Sequence, residues 1–274
     1  VHELYILARA VLLDALEALG AHRDAIVLVG AQAVYLHVGD ADLAVRPYTT
    51  DADLLLDPDR LGEIPPLEQA LMAAGFVPKK ADSVGVWITH RVSEQNPKTE
   101  VCVDLLAPAS LSPGRGRRAA HLKGHDARSA RKVVGLEGSL VDVVTMKVRS
   151  LSNDDERAFD TRVAGPAALM VAKLVKIDDR RETGRGNDKD ALDIVRLLRG
   201  VPTAELAERM RRLEASQISS AVADRAVDLL RALFGRHGAH GIAMAARAAG
   251  DAVDADELAA SAAVLANDLL ESLE

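Results

Sequence analysis

Asp51 and Asp53, one residue apart in the stretch Arg46-Pro-Tyr-Thr-Thr-Asp-Ala-Asp-Leu-Leu-Leu-Asp57, constrain this chain more than any other feature. They alternate with apolar residues, so in a strand both carboxylates leave the same face. Like charges held that close repel, and a divalent cation between them relieves the repulsion most directly. The apolar run Ala25-Ile-Val-Leu-Val-Gly-Ala31 lies just upstream. Its Gly30-Ala31 turn leaves room for phosphates to approach backbone N–H groups. A small-residue turn followed by an Asp-x-Asp strand is what metal-dependent phosphoryl or nucleotidyl transfer needs.

The pattern on either side predicts an α+β fold. Leu4, Leu7, Ala8, Val11, Leu12, Ala15 and Leu19 form one stripe of a helix over 3–19, stopped by Gly20. A buried strand is expected at 25–29, a helix at 31–38 with its N-terminus at the glycine turn, and the carboxylate strand at 50–56. A helix at 66–74 and strands at 84–90 and 100–106 follow, then a hairpin of 132–136 with 139–144 around Glu137-Gly138. Pro166 suits the first turn of a helix over 167–178, and a second helix is expected at 190–198 after the loop 184–187. Beyond Pro202 the periodicity is helical throughout. The expected architecture is a small mixed sheet with flanking helices in residues 1–155, followed by a helical bundle in 156–274.

Composition excludes several classes. The single cysteine, Cys102, rules out an intramolecular disulfide and a cysteine-rich zinc site. No apolar run reaches the roughly 18 residues of a membrane span, and no leader-like start is evident, so the expected location is the cytoplasm and no membrane partner is expected. There is no Gly-x-x-x-x-Gly-Lys-Ser/Thr phosphate loop. A net charge of −7 argues against general nucleic-acid affinity. Locally, however, Arg115, Arg117, Arg118, Lys123, Arg128, Arg131 and Lys132 fall within a Gly- and Ala-rich stretch with little acid.

Asp51, Asp53 and Asp104 are the candidate metal ligands. Asp104 lies inside the apolar run Val101-Cys-Val-Asp-Leu-Leu106, where a buried carboxylate needs a compensating charge or metal. The duller reading pairs it with an arginine. Three carboxylates on neighbouring strands suit one or two Mg²⁺ ions, one activating an attacking hydroxyl and the other neutralising a triphosphate. Lys173, in the mostly apolar Leu169–Ile177 helix, either snorkels to solvent or aims its ammonium at phosphate; Lys176 is the alternative cation. Asp190, near a helix N-terminus, either compensates the dipole or orients Lys173 or Arg180.

These pieces resemble the nucleotidyltransferase superfamily with a DNA polymerase β-type core. More narrowly they resemble the AbiEii-type toxin branch of bacterial toxin–antitoxin systems, and are similar to MenT-type tRNA nucleotidyltransferase toxins. Gly30-Ala31 stands where the family has Gly-Gly or Gly-Ser, and Ala31 is a departure. Arg46-x-x-Thr49-Thr50-Asp51-Ala52-Asp53 matches an Arg-x-Thr/Ser-x-Asp-x-Asp element, with a different Arg spacing. Ala172-Lys173-Leu174 matches the lysine-bearing helix. Arg180 or Arg181, with Lys189-Asp190-Ala-Leu-Asp193, matches the closing Arg…Arg/Lys-Asp-x-x-Asp element.

The resemblance implies transfer of a nucleoside monophosphate from an NTP to an acceptor with Mg²⁺ and release of pyrophosphate. Asp51, Asp53 and Asp104 then bind metal, with Asp104 also the base. Gly30, Ala31, Arg46, Thr50, Lys173 and Arg180 handle the substrate, and Asp190 positions groups around it. The expected acceptor is the 3′ end of tRNA, gripped by Arg115, Arg117, Arg118, Arg128, Arg131 and Lys132. The expected role is that of a toxin held by a cognate antitoxin. A small-molecule (antibiotic) nucleotidyltransferase and a non-catalytic regulatory protein on the same core are the alternatives.

Overall fold

A computed structural model of the chain describes residues 2–39, 48–94, 96–112, 118–181 and 188–274. Arg46, Arg115, Arg117 and the loop 184–187 lie outside the described residues. The chain divides into two compact units. The first comprises Val1–Gln32, Pro47–Val133 and Val143–Val163; the second comprises Ala33–Arg46, Val134–Asp142 and Ala164–Glu274.

The first unit is built on a mixed sheet. Its strands are β1 (Ile26–Val29), β2 (Asp51–Leu56), β3 (Val77–Pro78), β4 (Val86–Arg91), β5 (Thr99–Pro108), β6 (Arg131–Val133), β7 (Val143–Arg149) and β8 (Ala158–Ala164). Among the described residues their order is β3-β4-β5-β2-β1-β8-β7, with β6 paired to β5 off that path. β2 runs antiparallel to β1 and parallel to β5, while β4 is antiparallel to β5. Helix α1 (Glu3–Ala18) packs against β2 and β5, and also against α3 (Leu67–Ala73). The alternation of β2 decides which face α1 covers. Ala52, Leu54 and Leu56 are buried, as are Val101, Val103 and Leu105 on β5, whereas Asp51 and Asp53 are half-buried. Each fully buried Leu or Val contributes about 1.5–3 kcal/mol, so a one-residue slip of β2 would expose those leucines and bury both carboxylates.

The expected hairpin around Glu137-Gly138 does not form. Residues Glu137–Leu140 make a 3₁₀ turn, β6 pairs in parallel with β5, and β7 lies beside β8. Gly135, at φ +88°, bends the chain, and the buried Glu137 carboxylate accepts the Gly135 N–H at 2.8 Å. A carboxylate used to close a local turn is unavailable as the solvated tip of a hairpin.

The second unit is helical, apart from the end of β8. Its main elements are α4 (Pro166–Arg181), α5 (Asp188–Gly200), α6 (Thr203–Glu214), α7 (Ser220–Phe234), α8 (His240–Ala249) and α9 (Ala255–Leu273). α4 packs against α5, α6 and α7, and α5 against α8 and α9. Pro166 opens α4, where its missing N–H costs nothing. Asp142 secures that end: Oδ2 accepts from the Ala168 N–H at 3.3 Å and Oδ1 from Arg209 at 2.7 Å. Among the described residues no helix is long and apolar enough to cross a membrane.

Candidate active site

In the first unit, β1 ends at Val29 and α2 (Gly30–Val38) begins at the next residue. Gly30 makes that turn at φ +73°, a conformation that side chains resist. A Cβ built on it would stand 2.0 Å from Oδ2 of Asp53 and 2.8 Å from its Cγ. Glycine therefore lets the Asp53 carboxylate lie against the backbone that opens α2, where the helix end carries partial positive charge.

The register brings the other candidates alongside. Asp53 is paired with Asp104 and Asp51 with Cys102 across the parallel β2–β5 ladder, so all four side chains share one face. Asp104 takes Arg131 as an ion-pair partner, which is the arginine pairing set out above as the duller reading. Leu106 is the register partner of Arg131, which puts Arg131 two residues along β5 from Asp104. Asp51 accepts a hydrogen bond from Oγ1 of the buried Thr49 at 2.5 Å. Thr50, the expected phosphate contact, is exposed at the bend before β2. On the same face Lys79 pairs with Glu100 at 2.9 Å, and burial, opposed by Lys79, pushes the Cys102 thiol up.

Beneath this face a buried polar chain that sequence reading missed fixes the start of β2. Gln32, in the first turn of α2, donates to the Asp51 carbonyl at 3.0 Å and accepts from Arg9 Nε at 2.8 Å. Arg9 also donates to the Arg149 carbonyl and the Tyr5 hydroxyl. Burial pulls its guanidinium down, with Tyr5 opposing. An arginine within an otherwise largely apolar helix was the available signal.

Among the described residues no three His, Cys, Asp or Glu side chains are gathered so as to hold a metal ion. Asp104 turns to Arg131 and Asp51 to Thr49, so the acid trio shares a face without converging on one point. The donors nonetheless fit a hard divalent cation: all are carboxylate oxygens, two from one strand and one from its register neighbour. His121 and His125 stand four residues apart but on no helix. His125 is used in a loop, accepting from the Leu67 N–H at 3.1 Å and facing the Gly62 carbonyl at 2.9 Å.

In the second unit Lys173 does not snorkel. It is buried, and its Nζ donates to Asp190 at 2.8 Å and Asp193 at 2.7 Å. Lys176 reaches the same Asp190 oxygen at 3.0 Å, and Arg180 approaches its other oxygen at 3.9 Å. Asp193 also holds Arg196 at 2.9 Å. Burial alone would lower the Lys173 pKa, but Asp190 and Asp193 outweigh it and hold the ammonium well above its ordinary value. Burial likewise works against ionised Asp190, and Lys173 and Lys176 overcome it and keep the carboxylate low. Asp190 thus orients Lys173, while Lys176 and Arg180 are the more exposed cations of the cluster.

Of the basic stretch, Arg131 is committed to Asp104. Arg128 donates to the Ala81 carbonyl at 2.7 Å and Arg118 is exposed. Lys132 is half-buried on β6.

A glycine turn opening a helix against an Asp-x-Asp strand is the framework of a nucleotidyl-transfer enzyme. A nucleotidyltransferase family model matches residues 8–218, and the chain belongs to that family. Among solved structures it is similar to an antigenic nucleotidyltransferase-like protein from Paracoccidioides brasiliensis. The identity is 16%, the match covers 82% of this chain and 93% of that one, and the TM-score of 0.40 carries no argument. Comparison with curated proteins gives no match.

Proposed function

We propose that this nucleotidyltransferase moves an NMP from an NTP to the 3′ end of tRNA, and that it is a toxin of the AbiEii type, similar to MenT-type enzymes and held by a cognate antitoxin. The observation that carries the transferase chemistry is the contact of Asp53 with Gly30. It sets a carboxylate, with Asp51 beside it and Asp104 in register, at a turn whose backbone has no side chain in the way.

Asp51, Asp53 and Asp104 would hold Mg²⁺, which when bound supplies charge neutralisation for the triphosphate and polarises the attacking hydroxyl. The acceptor oxygen forms a bond to the α-phosphorus, the bond to pyrophosphate breaks, and Asp104 accepts the hydroxyl proton. Gly30 and Ala31 offer backbone N–H groups to phosphate, and Thr50 is proposed as a further contact. Within the helical unit by itself, Lys173 and Asp190 fix the helices that carry Lys176 and Arg180. Arg118, Arg128 and Lys132 of the basic stretch support an RNA acceptor, because phosphate contacts supply most non-specific affinity.

Incubation with each α-³²P-labelled NTP, Mg²⁺ and either total tRNA or an aminoglycoside tests the acceptor. Label on the tRNA 3′ end is expected. Label on the aminoglycoside instead would assign a small-molecule enzyme, and no transfer to either would favour a non-catalytic protein.

A further inference from the structure

Gln32, two residues past Gly30, is buried, and both ends of its amide are used. Arg9 carries only donors, so the Gln32 oxygen must face Arg9 Nε, at 2.8 Å. Its NH2 group then faces the Asp51 and Ala8 carbonyls, at 3.0 and 3.3 Å. Gly30 makes the turn offered to phosphate and Asp51 opens β2. One side chain therefore ties that turn to the main chain of a candidate metal ligand. The Asp51 carboxylate in turn takes the Thr49 hydroxyl, so the residue is held at both its main chain and its side chain.

Arg9 is the unusual member of the chain. It is buried as well, yet among the described residues its hydrogen-bond partners are all neutral: the Gln32 oxygen, the Arg149 carbonyl at 3.0 Å and the Tyr5 hydroxyl at 2.9 Å. A buried charge without an anion costs stability. For stability alone, apolar residues at both positions would serve as well or better. Gln32→Glu would give Arg9 an anion, but it would turn lone pairs toward the Asp51 and Ala8 carbonyls. It would also bring a third negative charge close to Asp51 and Asp53. Glutamine keeps a donor on Asp51 at the expense of a counter-charge for Arg9, so the arrangement favours the site over the fold.

We propose that Gln32 is a positioning residue of the transfer reaction: it makes the Gly30 turn and Asp51 one piece, and Arg9 keeps its amide the right way round. Metal and phosphate then meet at a fixed separation. Without Arg9 the amide is free to flip and present its oxygen to the Asp51 carbonyl. The inference rests on the metal role proposed for Asp51 and adds two residues that touch neither metal nor nucleotide. Partners one bond removed from a ligand ordinarily change metal affinity or activity by about 10–100-fold.

Titration of the nucleotide-free chain with Mn²⁺, the free ion read by electron paramagnetic resonance, tests it beside transfer from labelled NTP to tRNA. Gln32→Met keeps the length of the side chain and loses the tie. It should bind Mn²⁺ about tenfold more weakly, with a lower kcat, a higher Mg²⁺ requirement and an unchanged KM for tRNA. Gly75→Ala, whose Cβ meets nothing within 4 Å, strains the backbone and should alter none of these. In Gln32→Glu the carboxylate pairs with Arg9, which protects the fold, and its charge alone would tighten Mn²⁺ binding. Weaker binding there isolates the lost tie. Parental or tighter Mn²⁺ binding with parental transfer in Gln32→Glu overturns the proposal, as does an equal loss in Gly75→Ala. Asp53→Asn separates the two levels. If it binds Mn²⁺ like the parent, the metal reading fails and the positioning role with it. Loss in Asp53→Asn with parental binding in both Gln32 variants removes only the role of Gln32.

Discussion

Replacing Gly30 with alanine strikes the turn on which the carboxylate face depends, and Gly75 supplies an internal control. Both glycines have positive φ, +73° and +84°, but a Cβ at Gly75 meets nothing within 4 Å. Gly75→Ala therefore carries only the backbone strain, about 1–2 kcal/mol. At Gly30 the same strain is joined by a Cβ 2.0 Å from the Asp53 oxygen, which must retreat by about 1.4 Å to reach ordinary contact at 3.4 Å. Overpacking of that kind adds about 1–3 kcal/mol. A displacement of about 1 Å at a reacting group costs on the order of 100-fold in rate. Urea melts should show Gly30→Ala less stable than Gly75→Ala by that added amount. Transfer from labelled NTP to total tRNA should fall about 100-fold in Gly30→Ala and stay near the parent value in Gly75→Ala. Equal destabilisation with undiminished transfer in both would refute the claim that the Gly30–Asp53 contact positions the site.

Asp193→Ala leaves Lys173 and Arg196 without a shared buried carboxylate, and a loss of about 3–5 kcal/mol is expected in urea unfolding; a change below 1 kcal/mol would show the cluster to be energetically idle. The Asp190 carboxylate is depressed from 3.8 to about 2, because Lys173 and Lys176 outweigh its burial. The stability it contributes is therefore complete above its unfolded value and lost as pH falls through the folded one. The parent chain should weaken between pH 3.8 and about 2, and Asp190→Asn should flatten that part of the stability profile; an unaltered slope would count against the coupling. Arg131→Ala frees Asp104 from its ion pair, so half-maximal transfer should need less Mg²⁺, whereas a higher requirement would mean that Arg131 aids rather than competes with the metal.

The elements around the carboxylates were legible because their physics is local. The alternation of β2 told which face was apolar, and the stripe of α1 told what covered it, over Glu3–Ala18 against the expected 3–19. Asp104 was singled out as an acid in an apolar strand, and register does set it beside Asp53. Its partner was not legible, because Arg131 follows 27 residues later and reaches β5 only through the parallel pairing of β6. Separations of 23 and 19 residues likewise hid the Arg9–Gln32–Asp51 chain. β8 was missed because its first half is largely exposed, although it lies between β1 and β7, and so it lacks the apolar run that marked β1. Lys173 showed the limit of reading a helix alone: whether a lysine snorkels or is buried depends on the helix facing it, and α5 presents two aspartates there.

The transfer chemistry assigned to Asp51 and Asp53 is tested most directly by Asp53→Asn, which keeps the shape of the side chain against Gly30 and removes its charge. Incorporation of labelled NMP in Mg²⁺ should fall below detection while circular dichroism and the melting temperature match the parent. Incorporation at the parental rate by a folded Asp53→Asn chain would contradict the account.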